Sequence, residues 1–125
     1  MTTVRTAKNK GSSFEYDCQY SLSQIYPEIY RTSERGFQLQ YDLECDKYVF
    51  ECKRLKGISW NQCVKFYDKL QEKIPFGKIG YLLFQSNRQP CLVMSKTLNG
   101  GYQINQFENV FNTDFLKHPS TRAKK

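Results

Sequence analysis

A single domain of the mixed α/β (α+β) class is predicted, with a central mixed sheet of about five strands flanked by helices in the order α-β-β-β-α-β-β-α. Three observations predict it. Segments with apolar residues at helical spacing alternate along the chain with short runs that alternate apolar and polar residues or are apolar throughout. Capping boxes open two of the helical segments. The chain of 125 residues is 39% apolar with nine Phe and nine Tyr, enough for one core and too little for two.

The elements follow in order. Residues 1–10 read as a flexible basic arm. Ser12 and Glu15 form a capping box, and Phe14, Cys18, Leu22 and Ile25 continue at helical spacing until Pro27 stops the helix. Residues 28–31 read as a short strand and 32–36 as a polar loop. Residues 37–45 and 47–54 alternate and are rich in β-formers, so they are expected to pair as an antiparallel hairpin turning at Asp46-Lys47. Ser59 and Gln62 form a second capping box. The helix after it should bury Trp60, Cys63, Val64, Tyr67, Leu70 and Ile74, and Pro75 and Gly77 end it. Residues 79–85 and 91–94 read as strands separated by a turn. Ile104, Phe107, Phe111 and Phe115 predict one terminal helix, and 116–125 a basic tail outside a single domain spanning 11–115.

The net charge of +7 is confined to the ends. Arg5, Lys8 and Lys10 at one end and Lys117, Arg122, Lys124 and Lys125 at the other account for all of it, leaving 12 bases and 12 acids between them. Basic ends suit a polyanion, most often nucleic acid, and serve solubility equally well. No stretch approaches the ~18 apolar residues of a membrane span, and the opening MTTVRTAKNKGSS lacks the apolar run of a secretory signal. The five cysteines form no CxxC pair and the one histidine, His118, lies in the basic tail, so no structural zinc site is expected. Reduced thiols in the cytoplasm, used as small core residues, are the economical expectation.

One stretch carries chemistry. Glu51 and Lys53 lie two apart on an expected strand, so both side chains point to the same face. Asp42 lies across the turn on the preceding strand. Two carboxylates brought together repel unless a cation separates them, and a hard divalent ion takes oxygen ligands. A lysine beside such an ion can orient water or stabilise charge developing on a phosphate. Glu44 shares strand parity with Asp42, so either can face the metal. A solvated strand face or a cross-strand ion pair explains the triplet as well.

The succession of Gly11-Ser12-Ser13-Phe14-Glu15, then Asp42, Glu51-Cys52-Lys53-Arg54 and Trp60-Asn61-Gln62, resembles the PD-(D/E)XK nuclease superfamily. The likeness is to its small Holliday-junction-resolvase-like branch of archaea and phages. Ser86-Asn87-Arg88-Gln89-Pro90 and the apolar strand after it add to the likeness, which spans about residues 11–115. Tyr41 stands where the family carries Pro, and Cys91 where phage relatives carry Trp.

The resemblance implies a restriction-endonuclease-like fold and a Mg²⁺-dependent DNA endonuclease selective for branched DNA, with Mn²⁺ able to substitute. It implies Asp42, Glu51 and the Cys52 backbone carbonyl as metal ligands and Lys53 as the group that positions or activates water. Glu15 would serve a second metal or its water shell, or simply cap its helix. Ser33 and Arg35 would sit in a loop touching the cut strand, and Gln62 would line the site. Arg54 and Lys56 would meet flanking phosphates or form a solvated edge. Lys65, Lys69 and Lys73, one face of the second helix, would track the DNA backbone or face solvent. Relatives act as homodimers, and the 91–94 strand or the Phe-rich terminal helix would supply that interface. Two other functions remain open: a nucleic-acid-binding module without catalysis on the same fold, and a protein-interaction domain.

Overall fold

The computed structural model describes residues 13–35 and 41–122. The arm 1–10, the Ser12 cap, residues 37–40 of the expected hairpin, Lys124 and Lys125 lie outside the described residues. Helix α1 covers 13–22 and buries Phe14, Cys18 and Leu22. Ile25, expected on the same stripe, is 36% exposed, because the helix has ended and the Tyr26 N–H turns back to the Leu22 carbonyl at 2.7 Å. Strand β1 (Tyr30–Arg31) leads into a 3-10 turn, Thr32–Arg35, and then β2 (Leu43–Glu44) and β3 (Tyr48–Arg54) form the hairpin. Its register pairs Leu43 with Phe50 and Glu44 with Val49, and the Cys45 N–H closes the turn on the Tyr48 carbonyl.

Helix α2 (Trp60–Gln71) starts where the capping box places it: the Gln62 N–H donates to the Ser59 hydroxyl at 3.1 Å. It crosses from β3 to β4 (Ile79–Gln85), which lies parallel to β3 through seven register pairs. Strands β5 (Leu92–Lys96) and β6 (Tyr102–Gln106) follow antiparallel, so one mixed six-stranded sheet runs β1-β2-β3-β4-β5-β6. Helices α3 (Phe107–Phe111) and α4 (Pro119–Arg122) close the described chain.

The sixth strand corrects the sequence expectation. Ile104 belongs to β6, not to a terminal helix, and only Phe107–Phe111 is helical there. Asn112, in the left-handed region at φ 56°, ends that helix. Ile104 satisfies a period of two with Tyr102 and a period of three with Phe107. The five-pair ladder to β5 decides between them. The expected dimer surfaces are interior: β5 lies between β4 and β6, and Phe107 and Phe111 are buried in the chain's own core.

The sheet is covered on both faces. On one, Phe50 and Leu83 pack with Phe14, Cys18 and Leu22 of α1 and Phe107 and Phe111 of α3. Phe50 stacks on Tyr81 with ring centroids 5.8 Å apart. On the other face, α2 buries Cys63, Tyr67 and Leu70 against Val49, Leu82, Phe84 and Met94. Gly80 lies close under this layer: a Cβ there would push aside the end of the Ile74 side chain and crowd Leu70 at 3.2 Å. Trp60, expected in this core, is instead 50% exposed: it opens the first turn of α2 and meets only Tyr102 of β6, in a T-shaped contact at 6.3 Å. All five cysteines are free thiols, and four are buried. Burial pushes the Cys52 thiol up to about 12 and that of Cys18 well up, and the Cys18 thiol lies against those of Cys52 and Cys91.

The β4–β5 ladder is short. It runs only from Leu82↔Met94 to Phe84↔Leu92, while β5 continues beside β6 to Lys96↔Tyr102. Where β4 and β5 separate, the Tyr67 hydroxyl stands between them. It donates to the Gly80 carbonyl at 3.2 Å and meets the Lys96 backbone N–H, replacing one rung. Tyr67→Phe keeps the packing and strips both backbone groups of this partner. It is expected to lower stability by about 1–3 kcal/mol, read as a lower urea midpoint with an unchanged m value.

Candidate active site

Four of the expected residues converge. Glu51 and Lys53 both project toward α2, and the Lys53 ammonium lies 3.4 Å from Glu51 Oε2 and 4.8 Å from the centre of the Phe66 ring. The Cys52 backbone N–H between them donates to Asp42 Oδ2 at 2.8 Å. Both main-chain groups of a strand residue point the same way, so the Cys52 carbonyl also faces the Asp42 side. Glu15 comes from the first turn of α1 and lies close enough to Asp42 for each carboxyl to shift the other's ionisation. Arg31 on β1 holds Glu15 Oε2 at 2.6 Å, with its guanidinium 4.1 Å above the Tyr16 ring.

Electrostatics mark the cluster. Burial, then the charge of Glu51, raises Asp42 to about 6, against the pull of the Cys52 N–H and Lys53. Burial, then Asp42, raises Glu15, although Arg31 opposes it. Burial raises Glu51 as well, opposed by Lys53 and Lys73. Glu51 Oε1 is buried with no hydrogen-bond partner among the described residues. An orphaned carboxylate oxygen is costly and asks for a cation or a donor.

Asp42 and Glu44 differ in their partners. Glu44 accepts from Lys78, from the Tyr30 hydroxyl at 2.8 Å and from the Tyr41 hydroxyl at 3.3 Å, which hold its carboxyl below the usual range despite burial. Glu44 is therefore a structural anion, and Asp42 faces Glu15 and Glu51.

Ser33, Arg54, Lys56, Gln62, Lys65 and Lys69 are not part of this cluster. Ser33 and Arg35 lie in the 3-10 turn, where Ser33 is exposed. Arg54 is tied down by Gln85 at 2.8 Å and Asn87 at 2.7 Å. Lys56, Gln62, Lys65 and Lys69 are exposed, and none makes an ion pair or side-chain hydrogen bond with the carboxylates. Glu15 is engaged by Arg31 and Asp42. Arg31, Phe66 and the role of Lys73 beside Glu51 were not legible in the sequence. Arg31 and Glu15 are sixteen apart, and only the α1–β1 packing brings them together.

The donors suit a hard divalent cation: Asp42, Glu51 and the Cys52 carbonyl, with Glu15 behind them. Glu51 Oε1 has a vacant lone-pair direction for it. No group of three or more His, Cys, Asp or Glu side chains among the described residues is arranged to hold an ion as it stands. Arg31 and Lys53 occupy two of the carboxylates instead. Comparison with protein-family models, with curated proteins and with solved structures found no match.

Asp42 keeps its proton to about pH 6 in the fold, whereas an unfolded aspartate loses it near 4. Its contribution to stability is therefore complete below about pH 4 and is lost as pH rises through about 6. Asp42→Asn retains an acceptor for the Cys52 N–H. It is expected to exceed the parent in stability by about 1–3 kcal/mol at neutral pH, with the gap closing below about pH 4, as followed by urea unfolding across that range.

Proposed function

We propose that the chain is a divalent-metal-dependent DNA endonuclease of the PD-(D/E)XK kind, hydrolysing phosphodiester bonds in branched DNA. The observation that carries this reading is the half-buried Glu51 carboxylate, paired with Lys53 through one oxygen and orphaned at the other, which is buried, beside the raised carboxyls of Asp42 and Glu15. Half-buried carboxylates that repel one another cost stability, and such clusters are found where a cation or substrate binds between them.

Each residue has a part. Asp42, oriented by the Cys52 N–H, and Glu51, through its free oxygen, would hold Mg²⁺ or Mn²⁺ together with the Cys52 carbonyl. When bound, the ion would make water more acidic and offset charge on the phosphate. Lys53, kept in place by Glu51 and the Phe66 ring, would orient the attacking water and donate to the phosphate as negative charge builds. Glu15 would accept a proton at its carboxylate, its ionisation governed by Arg31 on one side and Asp42 on the other. Paired cuts in a four-way junction would need a second copy of the chain.

One observation favours a nucleic-acid-binding module without catalysis. Arg31 ties Glu15 to the protein's own cation, leaving one carboxylate already neutralised. Cleavage of labelled four-way junction, duplex and single strand with Mg²⁺, Mn²⁺ or chelator separates the two. The nuclease is expected to cut with metal only, and Glu51→Gln and Lys53→Ala each to slow cutting by about a hundredfold or more. Mg²⁺ should also raise the melting temperature of the parent and not of Glu51→Gln. Tight, salt-sensitive binding with no cutting and no Mg²⁺ effect would select the binding module.

A further inference from the structure

The two edges of the sheet are unlike. One is β1, two residues long and ending on Arg31. The other is β6, five residues long, and no described strand pairs with its outer side. Folded proteins blunt such edges with lysine, proline or a bulge, or cover them. Strand β6 reads Tyr102-Gln103-Ile104-Asn105-Gln106 in unbroken register with β5, and no charged residue or proline stands from Thr97 to Phe107. Gln103, Asn105 and Gln106 are exposed.

Two bonds that bracket the β5–β6 ladder fix which groups point outward. The Thr97 N–H donates to the Gly101 carbonyl at 2.9 Å, and the Phe107 N–H to the Cys91 carbonyl at 3.0 Å. Antiparallel pairs alternate between bonded and non-bonded. Gln103 and Asn105 therefore bond to β5, and the N–H groups of Tyr102, Ile104 and Gln106 point away from it. That outer edge is complementary to itself. An antiparallel copy centred on Ile104 sets Ile104 against Ile104 and Tyr102 against Gln106 on either side, each as a bonded pair. Gln103 then meets Asn105 of the copy, amide beside amide, on the other face. A two-fold axis sets any charge lying on it against its like, and this strand carries none. Tyr102 and Ile104 are only half-buried, and Trp60, 50% exposed beside the Tyr102 ring, adds apolar surface at the same margin.

We propose that β6 pairs with β6 of a second copy of this chain, joining the two six-stranded sheets into one about an axis through Ile104. Pairing uses the one long free edge among the described strands, so the assembly closes at two. Opposed residues of antiparallel strands point to the same face. Both α2 helices, and the Glu51 and Lys53 side chains beneath them, thus lie on one face of the joined sheet. Strand β3 stands three strands in from this edge, which puts the two carboxylate clusters roughly 34 Å apart at about 4.8 Å per strand. The dimer is independent of the nuclease reading; the use of both clusters on one branched substrate rests on it.

The test is sedimentation equilibrium of the full chain in EDTA, from about 1 μM to about 1 mM, with amide exchange followed in parallel. Cleavage enters neither readout. The average mass is expected to rise from one chain toward two, and exchange of the Tyr102, Ile104 and Gln106 amides to slow with it. Gln103→Lys with Asn105→Lys sets lysine against lysine across the axis and should weaken association about tenfold or more. Gln103→Lys with Asn105→Glu sets opposite charges there and should keep association within about threefold of the parent. Both positions are exposed, so neither pair of changes disturbs the core. The proposal is overturned if the chain stays monomeric throughout, if the two double variants associate alike, or if the mass rises while these three amides exchange as before.

Discussion

The parallel pairing of Tyr48–Arg54 with Ile79–Gln85 requires the chain to cross over the sheet, and the crossover helix α2 is what partly shields Glu51 and Lys53 from bulk water. A hairpin alone would have left that strand face solvated. With α2 seated through Leu70 and Ile74 against Val49 and Gly80, the same face is apolar at one end of β3 and charged further along. On the reverse face Phe50 is locked into the aromatic cluster with Tyr48, Tyr81 and Phe111. A one-residue slip of β3 would exchange the two faces, burying Lys53 among phenylalanines, so the core holds the register of the site.

The cluster is a contest between desolvation and pairing. Charges about 4 Å apart near a protein surface interact by about 4 kcal/mol, and removing an ion from water costs several kcal/mol. Burial is the largest influence on Glu15, Asp42 and Glu51 alike, and all three are raised in spite of Arg31, Lys53 and Lys73. Glu44 shows the opposite balance: one lysine and two tyrosine hydroxyls reach it, and it is lowered. Two carboxylates two residues apart are thus a structural anion and a strained one: Glu44 has three donors and no carboxylate against it, whereas Asp42 has the Cys52 N–H, deeper burial and the charge of Glu51.

Tyr67 has a comparable influence on the other side of α2. Its hydroxyl satisfies backbone groups that the ladder would otherwise have paired, so the sheet can divide without leaving them bare. A polar groove is the result. The two polar sites flank one helix at different residues: Phe66, with Lys73 just past the helix end, toward the carboxylates, and Tyr67 and Gln71 toward the groove.

Much of this was legible from local pattern. The common face of Glu51 and Lys53 follows from strand alternation, the start of α2 from the Ser59–Gln62 box, and the core positions Cys63, Tyr67 and Leu70 from helical spacing, because each depends on neighbours a few residues away. The sixth strand was not legible, since Ile104 fits two periods and only pairing with β5 distinguishes them. Trp60 misled for the related reason that spacing gives the face of a helix and says nothing of how deeply its first turn is covered. Asp42 could not be separated from Glu44 by parity, and Arg31 carried no signal at all. Those choices were made by Lys78, Tyr30, Tyr41 and Glu15, partners 3 to 34 residues away. The sequence by itself determined which side chains share a face. Which of them are charged, paired or left wanting a ligand was decided by the tertiary structure, because desolvation and pairing depend on what the fold brings within a few ångströms.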